Sequence, residues 1–170
     1  MIKKQKNLQS QSILQIIIDL LPSKIFWKDK NSVYLGGNKA FAKDAGAKTP
    51  KDLVNKTDYD LSWKKKEADN YRIDDKKVIE SGEKKLNFEE PLTNNEGKTI
   101  WIKTSKVPLT NSKGEIIGVL GIYDDITEEK EADKKLEENM EKLEKMNKLM
   151  VGRELKMIEL KKEINKLKKK

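Results

Sequence analysis

Two residue types that supply much of the catalytic and metal-binding chemistry of proteins are missing, since the 170 residues contain neither cysteine nor histidine. Disulfides, thiolate nucleophiles, histidine-dependent triads and the common zinc sites each need one of these side chains. A phospho-accepting histidine within the chain is excluded for the same reason. The composition therefore predicts a protein that is not an enzyme and has no metal site.

Long hydrophobic runs are also missing. Residues 1–24 have a basic start followed by apolar residues, but Gln15 and Asp19 interrupt the apolar part and no small-residue cleavage site follows. A helix that spans a bilayer needs roughly 20 predominantly apolar residues in succession. We expect neither a secretory signal nor a membrane span, and we expect a cytoplasmic location.

Charge, by contrast, is abundant and of both signs. Charged residues make up 39% of the chain and hydrophobic residues 35%, with a net charge of +8. Globular averages are about 25% and 45–50%, so a sizeable part of the chain is expected to be solvated helix. Because lysines are mixed with glutamates and lack interleaved aromatics and arginines, a basic helix that binds acidic surfaces or nucleic acid is the less favoured alternative.

The N-terminal segment, residues 1–22, is predicted to be an amphipathic cap helix that ends at Pro22. Its apolar residues at helical spacing are Leu8, Ile13, Ile16, Ile17, Leu20 and Leu21. The stripe is expected to cover an edge or face of the following domain. The alternative is that it also meets its own copy in a dimer.

Residues 23–127 have the pattern of one α+β domain with a five-stranded antiparallel sheet and flanking helices. A hairpin comes first, then a short helix with Asn38 as its N-cap, and later a longer helix that ends at Gly82. Two loops rich in Asn and Gly join the last three strands. The predicted strands are 24–29, 32–37, 83–92, 98–109 and 115–126, and the predicted helices are 38–46 and 64–81.

The last segment, residues 128–170, has the seven-residue spacing of a coiled coil. The column of apolar residues at this interval, called the heptad column below, comprises Leu136, Leu143, Met150, Met157 and Ile164. Met140 and Asn147 occupy the partner core positions, but after Met150 these become Glu154 and Lys161, which indicates a stutter or a broader bundle. We predict a homodimer through this helix, with a single solvated helix as the alternative.

Three strings in this order resemble the PAS sensor domain family over roughly residues 13–129. FWKDKNSVYLGGNKAF (26–41) is similar to the family's opening hairpin and first helix, VNKTDYDL (54–61) to the linker before its long helix, and GEIIGVLGIYDDITEEK (114–130) to its last strand and exit motif. The resemblance implies a sensory input module of bacterial-type signal transduction that holds a small molecule in a cavity. The state of the module would pass through Asp125, Ile126 and Thr127 to the coiled coil.

The resemblance also restricts which cofactors the chain is expected to bind. Flavin-binding light sensors of the family carry a reactive cysteine and its haem-binding members usually offer histidine, and this chain has neither residue. Tyrosine, methionine or lysine could in principle ligate a haem iron instead. No particular cofactor, ligand or downstream effector is predicted. The main alternative function is a ligand-free PAS module for dimerisation or scaffolding.

Candidate ligand contacts are polar and aromatic residues expected near the cavity. Alternation along β-strand 98–109 places Ile100, Ile102 and Thr104 on one face and Trp101 on the other. If Arg72 lies beside carboxylates, a zwitterion or organic acid would suit it; the alternative is a solvent-facing Arg72 in a salt bridge with Asp69, Asp75 or Asp58. The candidates are Asn38, Asp58, Tyr71, Arg72, Glu90, Trp101, Thr104 and Tyr123.

Two smaller features complete the predictions. Gly36 and Gly37 lack the spacing of a phosphate-binding loop, so a strand end with close backbone approach is favoured. Asp125 is expected to be the N-cap of the last helix, with Glu128 at the capping-box position and Thr127 as the rival cap.

Overall fold

The computed structural model describes residues 12–94 and 96–168, and the chain divides into two compact units, Met1–Thr127 and Glu128–Lys170. The first unit contains the sheet and three α-helices. Two short 3-10 turns, Pro50–Leu53 and Asp58–Asp60, precede its longest helix. In chain order the helices and strands are α1 (12–20), β1 (Lys24–Asp29), β2 (Tyr34–Gly37), α2 (Lys39–Asp44), α3 (Lys65–Ser81), β3 (Lys85–Thr93), β4 (Thr99–Thr110), β5 (Ile116–Asp125) and α4 (Thr127–Leu167).

The predicted architecture is confirmed. All five strands pair antiparallel in the order β2-β1-β5-β4-β3, so the first and last strands of the domain lie side by side at the centre. Helices flank the sheet, and a long helix follows the last strand. The α+β class inferred from the sequence is therefore correct.

One face of the sheet forms the core, as the period-two alternation of the strands requires. Phe26 of β1, Ile102 of β4 and Tyr123 of β5 are buried on this inner face. Gly121 of β5 lies under the Phe26 ring, where a Cβ atom would clash. Because Ile117, Val119, Gly121 and Tyr123 alternate with Ile116, Gly118, Leu120 and Ile122, the sequence predicts that β5 buries both of its faces. This prediction is wrong for Ile122, 37% exposed on the outer face, and for Ile117, 40% exposed near the start of the strand.

Asn38 has a structural role that connects three elements. Its side-chain oxygen accepts hydrogen bonds from the N–H groups of Phe41 (2.9 Å) and Ile25 (3.1 Å), which caps α2 as predicted. Its amide donates to the carbonyls of Ile18 (2.9 Å) and Ser23 (2.8 Å). All four hydrogen-bonding positions of this buried side chain are thus used within the fold.

The long helix α3 begins at Lys65 and ends where Gly82 adopts φ +70°, the left-handed conformation typical of a glycine C-cap. Its inward stripe contains Ala68, Tyr71 and Val78, with Asp75 rather than the exposed Ile73 between them. A charged residue on the buried stripe of a helix needs a partner, because burial of an unpaired charge is costly.

Polar contacts attach α1 to the end of β2 and the start of α2. The Gln15 amide donates to the Gly37 carbonyl (3.3 Å) and the Asp19 carboxylate accepts from the Lys39 N–H (2.8 Å). Five apolar side chains of the predicted stripe remain exposed, so they cover less of the domain than the sequence led us to expect. These are Ile13, Ile16, Ile17, Leu20 and Leu21, while Leu8 lies outside the described residues.

The second unit consists of the body of α4. Its described side chains are exposed from 131 onward, including the heptad column, whose members are 50–63% exposed. Within 12–94 and 96–168, no helix combines the length and apolar character needed to cross a bilayer.

Candidate functional site

A small cavity lies between the inner face of the sheet and the helices of the first unit. Its volume is about 20 Å³, whereas a water molecule requires about 10–15 Å³ measured in this way. The space accepts about one water, so a larger molecule enters only if side chains move apart. The lining residues are Phe26, Lys28, Tyr34, Phe41, Asp58, Trp63, Tyr71, Glu90, Leu92, Ile102, Thr104, Lys106 and Tyr123.

Aromatic rings form much of the wall. The ring of Phe41 lies 4.9 Å from that of Phe26, 5.4 Å from that of Tyr34 and 6.2 Å from that of Trp63, measured between centroids. The rings of Trp63 and Tyr71 meet edge to face at 6.2 Å and 90°. Such rings present flat faces and polarised edges to whatever lies between them.

Beside these rings lies a buried ion network of Lys28, Asp58, Asp75 and Lys106. The ammonium group of Lys28 contacts the Asp58 carboxylate (2.7 Å) and the Asp75 carboxylate (2.7 Å), and that of Lys106 contacts Asp75 (2.6 Å). The four side chains are at most 2% exposed. Two cations and two anions cancel, which meets the requirement that buried charges be paired.

Neighbouring groups complete the hydrogen bonding of the network. The Tyr34 hydroxyl donates to Asp58 (2.8 Å), and Lys106 also donates to the Tyr71 carbonyl (3.1 Å). Burial by itself would raise the pKa of Asp75, but Lys28 and Lys106 outweigh it and lower that pKa below its usual value. Burial, reinforced by Asp58, raises the pKa of Tyr34 well above its ordinary value, so this hydroxyl remains a donor.

Two donors on the cavity wall have no acceptor. The Trp63 indole N–H and the Tyr71 hydroxyl are buried and make no hydrogen bond within the described residues. Their side chains belong to residues that are 8% and 9% exposed. The Trp63 ring lies near the Tyr34 hydroxyl, where it opposes the rise in the Tyr34 pKa without reaching hydrogen-bond geometry.

Glu90 contributes a carboxyl group to the same wall. Burial raises its pKa, although Lys106 and the Thr104 hydroxyl, which donates to it at 2.9 Å, act in the opposite direction. On another part of the wall, the Tyr123 hydroxyl donates to the Asp44 carboxylate (3.1 Å), and burial raises the pKa of both groups. Among the described residues, no cluster of three metal-ligating side chains is present.

The structure brings together five of the eight candidate ligand contacts. Asp58, Tyr71, Glu90, Thr104 and Tyr123 all line the cavity. Their common position follows from inward-facing strand residues, from the inner stripe of α3 and, for Asp58, from the second 3-10 turn. Whether any of them contacts a ligand stays a prediction.

The other three candidates do not line the cavity. Asn38 is committed to the α2 cap, and Trp101 lies on the outer face of the sheet, 44% exposed, as its alternation with Ile100 and Ile102 already implied. Arg72 donates to the carbonyls of Asn31 (3.3 Å) and Ser32 (3.4 Å).

Arg72 also stacks near an aromatic ring, with its guanidinium 5.3 Å from the Tyr59 centroid. Within the described residues it forms no salt bridge with Asp69, Asp75 or Asp58, so neither position expected for it is observed. The argument for a zwitterion or organic acid, which depended on an arginine in the cavity, therefore loses its basis.

Sequence reasoning missed Lys28, Lys106, Trp63 and Asp75. The signal was available for the two lysines, because Lys28 follows Phe26 by two positions and Lys106 follows Thr104 by two, which places both on the inner face. Lysine is rarely buried without a partner. An inward lysine therefore indicates a buried acidic group, although the sequence does not say which one.

The junction after β5 is held by hydrogen bonds to Trp101, near the beginning of β4. The Ile126 N–H donates to the Trp101 carbonyl (2.9 Å), and the Trp101 N–H donates to the Thr127 hydroxyl oxygen (2.9 Å). Asp125 accepts from the N–H of Thr127 (2.9 Å), the first residue of α4. Asp125 thus accepts from the first N–H of the helix, while the side chain of Thr127, the rival cap, accepts from β4. The capping box with Glu128 stays a prediction.

Comparison with known proteins identifies relatives of this fold. The model of the PAS fold family matches residues 18–131. No curated protein sequence matches the chain. Solved structures that resemble it include VqmA, a LuxR-type receptor, and the PAS domain of BvgS.

The VqmA dimer of Vibrio cholerae, solved in the absence of its target DNA, is 25% identical, with 71% of this chain and 52% of that chain covered and a TM-score of 0.62. VqmA bound to DPO is 26% identical, with 71% and 57% covered and a TM-score of 0.61. The chain thus spans little more than half the length of these receptors. The PAS domain of Bordetella pertussis BvgS, 24% identical with 78% and 98% covered and a TM-score of 0.59, shares the fold.

Proposed function

Because this chain belongs to the PAS fold family, whose model matches residues 18–131, we propose that it is a sensory input module that binds a small molecule in the cavity of the first unit. The observation that carries this proposal is that two residues lining the cavity, Trp63 and Tyr71, have buried donor groups that make no hydrogen bond within the described residues. A small-molecule ligand is also in line with the structure of VqmA bound to DPO, part of which resembles this chain.

The small volume of the cavity favours a mechanism in which binding changes the packing of the sheet. A ligand larger than one water must displace inner side chains such as Phe26, Ile102 or Trp63. It therefore binds best to a conformation in which these residues are spread apart. Differential affinity for that conformation is what shifts a population between two states.

The proposed route of the signal is along β4 and β5 to Asp125, Ile126 and Thr127. Ile102 and Thr104 of β4 line the cavity, and Ile102 pairs with Asp125 across the ladder. One residue before Ile102, the backbone of Trp101 is hydrogen-bonded to Ile126 and Thr127. Movement of the cavity wall would thus reach the start of α4 through the hydrogen bonds that the Trp101 backbone makes with the Ile126 N–H and the Thr127 hydroxyl.

The proposed output element is a homodimer formed by α4. An exposed column of apolar residues at seven-residue spacing needs a second surface, and an identical helix in register supplies it. Met140 and Asn147 would share the core with the heptad column, and Asn147 would fix the register. The cap segment 1–22, the sensor domain 23–127 and the dimerisation helix 128–170 would then act in sequence, in the cytoplasm, on an effector that remains to be found.

A ligand-free dimerisation or scaffold module is the second candidate. The observation in its favour is the combination of a cavity of about 20 Å³ with an ion network that satisfies itself. A basic helix that binds nucleic acid is less supported, because lysines of α4 pair with glutamates one turn away, as in Lys148 with Glu144 at 2.9 Å.

Two measurements on freshly purified protein separate sensor from scaffold. Native mass spectrometry would reveal a bound molecule as a defined mass increment. A thermal-shift screen of small metabolites, with DPO included, is expected to give a saturable increase in melting temperature, since a ligand at 100 times its Kd stabilises by about 2.7 kcal/mol. A flat response to a broad library, with no mass increment, would support the scaffold.

A further inference from the structure

The cavity wall contains two buried hydrogen-bond donors that make no hydrogen bond within the described residues. Trp63 lies in the loop before α3 and Tyr71 lies in α3 itself, so two separate segments direct an N–H and an O–H to the same space. An unpaired buried donor lowers stability, because the group has lost its water. Two at one cavity indicate that the missing acceptor comes from another molecule.

The charges of the surrounding wall disfavour a charged ligand. Both oxygens of Asp75 are engaged by Lys28 and Lys106, and Asp58 is engaged by Lys28 and Tyr34. An anion would have to draw a lysine from its carboxylate. The network is already neutral, so that exchange would leave a buried carboxylate unpaired.

A cation would need a carboxylate, and Glu90 is the one on the wall outside the network. Its Oε1 already accepts from Thr104, and burial favours its neutral form. The remaining titratable groups on the wall, Tyr34, Tyr71 and Tyr123, are hydroxyls whose pKa burial raises, so they stay uncharged at neutral pH.

The aromatic wall sets the shape. Phe26, Phe41 and Trp63 line the cavity with aromatic rings, and the Phe41 centroid lies 4.9 Å from that of Phe26 and 6.2 Å from that of Trp63. Aromatic walls suit a flat molecule, which can stack on ring faces or meet ring edges. The starting volume of about 20 Å³ limits how far the wall must open. A single ring demands the least displacement.

We infer that the cavity selects a small, planar, uncharged molecule that presents hydrogen-bond acceptors to Tyr71 and Trp63. The inference rests on the proposed sensory function and names the class of ligand. Tyr71 and Trp63 are the residues that determine specificity, and the ion network excludes charged analogues.

Three molecules of nearly identical shape test the charge requirement: benzamide, which is neutral, benzoate, which is an anion, and benzamidinium, which is a cation. Affinities for the full chain are measured by isothermal titration or by NMR at pH 7. Benzamide is expected to bind at least tenfold more tightly than either charged analogue. Its binding is expected to move the indole N–H resonance of Trp63, identified by its loss in Trp63→Phe.

Tyr71→Phe tests the donor and removes only the hydroxyl. Because that hydroxyl makes no hydrogen bond within the described residues, the variant is expected to fold with equal or greater stability while its affinity for benzamide falls about 3–10-fold. A residue with a purely structural role would instead lose stability. The matched control is Tyr59→Phe, at an exposed tyrosine outside the cavity whose hydroxyl donates to Asp69.

Every outcome is decisive. Equal or tighter binding of a charged analogue, or an unchanged affinity in Tyr71→Phe, overturns the inference and leaves the sensory function standing. Failure of all three probes overturns it as well, and the sensory function then stands or falls with the wider metabolite screen.

Discussion

Among the described residues, four charged side chains are buried and paired in the unit that ends at Thr127, whereas thirteen large apolar side chains are exposed in the unit from Glu128 onward. The first arrangement places polar groups where water is absent. The second places apolar groups where water is present. Each arrangement by itself lowers stability or solubility, and the two units offset this effect in different ways.

The sheet domain relieves its cost within its own chain, because Lys28, Asp58, Asp75 and Lys106 neutralise one another across β1, the second 3-10 turn, α3 and β4. The helix has no such partner among its own described residues. A domain that closes on itself can keep a cavity whose wall responds to a ligand, while a helix with an open apolar column can report that response by how it pairs.

The largest loss of stability is expected when a member of the buried ion network is removed. Lys28→Ala leaves Asp58 without its ammonium partner and deprives Asp75 of one of two, so a loss of about 3–5 kcal/mol in the free energy of unfolding is expected. Urea denaturation followed by circular dichroism measures it. Lys76→Ala is the control, because Lys76 is 73% exposed in a surface pair with Glu80 and should change stability by less than about 0.5 kcal/mol.

A comparable small loss in both variants would show that the network contributes little to the fold. Lys28→Met sharpens the result, since it keeps most of the side-chain volume and removes only the charge. A large loss in Lys28→Met as well as in Lys28→Ala assigns the effect to the unpaired carboxylates rather than to a cavity.

The second prediction concerns the exposed column of α4. Leu143→Gln places a polar amide in the proposed dimer core and is expected to weaken dimerisation at least tenfold, equivalent to about 1.4 kcal/mol. Sedimentation equilibrium measures the dissociation constant. Lys142→Gln introduces the same residue one position away, outside the column, and should leave the constant unchanged; equal effects would exclude the proposed core.

The fold was predictable because its signals are local. Alternation in the strands, the Asn38 cap, Gly82 after α3 and the Asn-Gly loops each act over a few residues, and together they specified the five strands and the helices. Ile117 and Ile122 of β5 were exceptions, because both are exposed. Their exposure depends on whether another element covers them, and that is a property of tertiary structure.

The cavity was predictable only in part, for a related reason. Inward positions on β4 and β5 placed Thr104 and Tyr123 correctly, and the same rule should have removed Trp101 and added Lys106. Arg72 was wrongly placed at the cavity because the rotation of α3 about its axis decides which side chains face inward. A turn of about 100° per residue separates Tyr71, which faces the cavity, from Arg72, which binds the Asn31 and Ser32 carbonyls.

The third prediction tests the junction between the two arrangements. Asp125→Ala removes the acceptor for the Thr127 N–H and is expected to cost about 1 kcal/mol, the usual loss for a helix cap. Chemical denaturation measures the loss in the free energy of unfolding, and distance measurements between spin labels on α4 give the dimer geometry. Asp124→Ala is the adjacent control. Unchanged stability and unchanged geometry in Asp125→Ala would remove the junction from the proposed route.

The smallest effect is expected at Glu90, where burial opposes ionisation. Because its pKa is raised in the folded protein, the native state holds a proton that the unfolded state releases, and this stabilisation is lost as pH rises from the ordinary value of 4.5 through the folded pKa. Glu90→Gln cannot ionise and still accepts from Thr104. It should therefore match the wild type at pH 4 and exceed its free energy of unfolding by a fraction of a kilocalorie per mole at pH 8, in urea denaturation at both values. The control is Glu83→Gln at an exposed position, which should show no such difference between the two pH values. If Glu90→Gln were less stable than the wild type at pH 8, the ionised carboxylate, rather than the neutral acid, would be the form that fits the cavity wall.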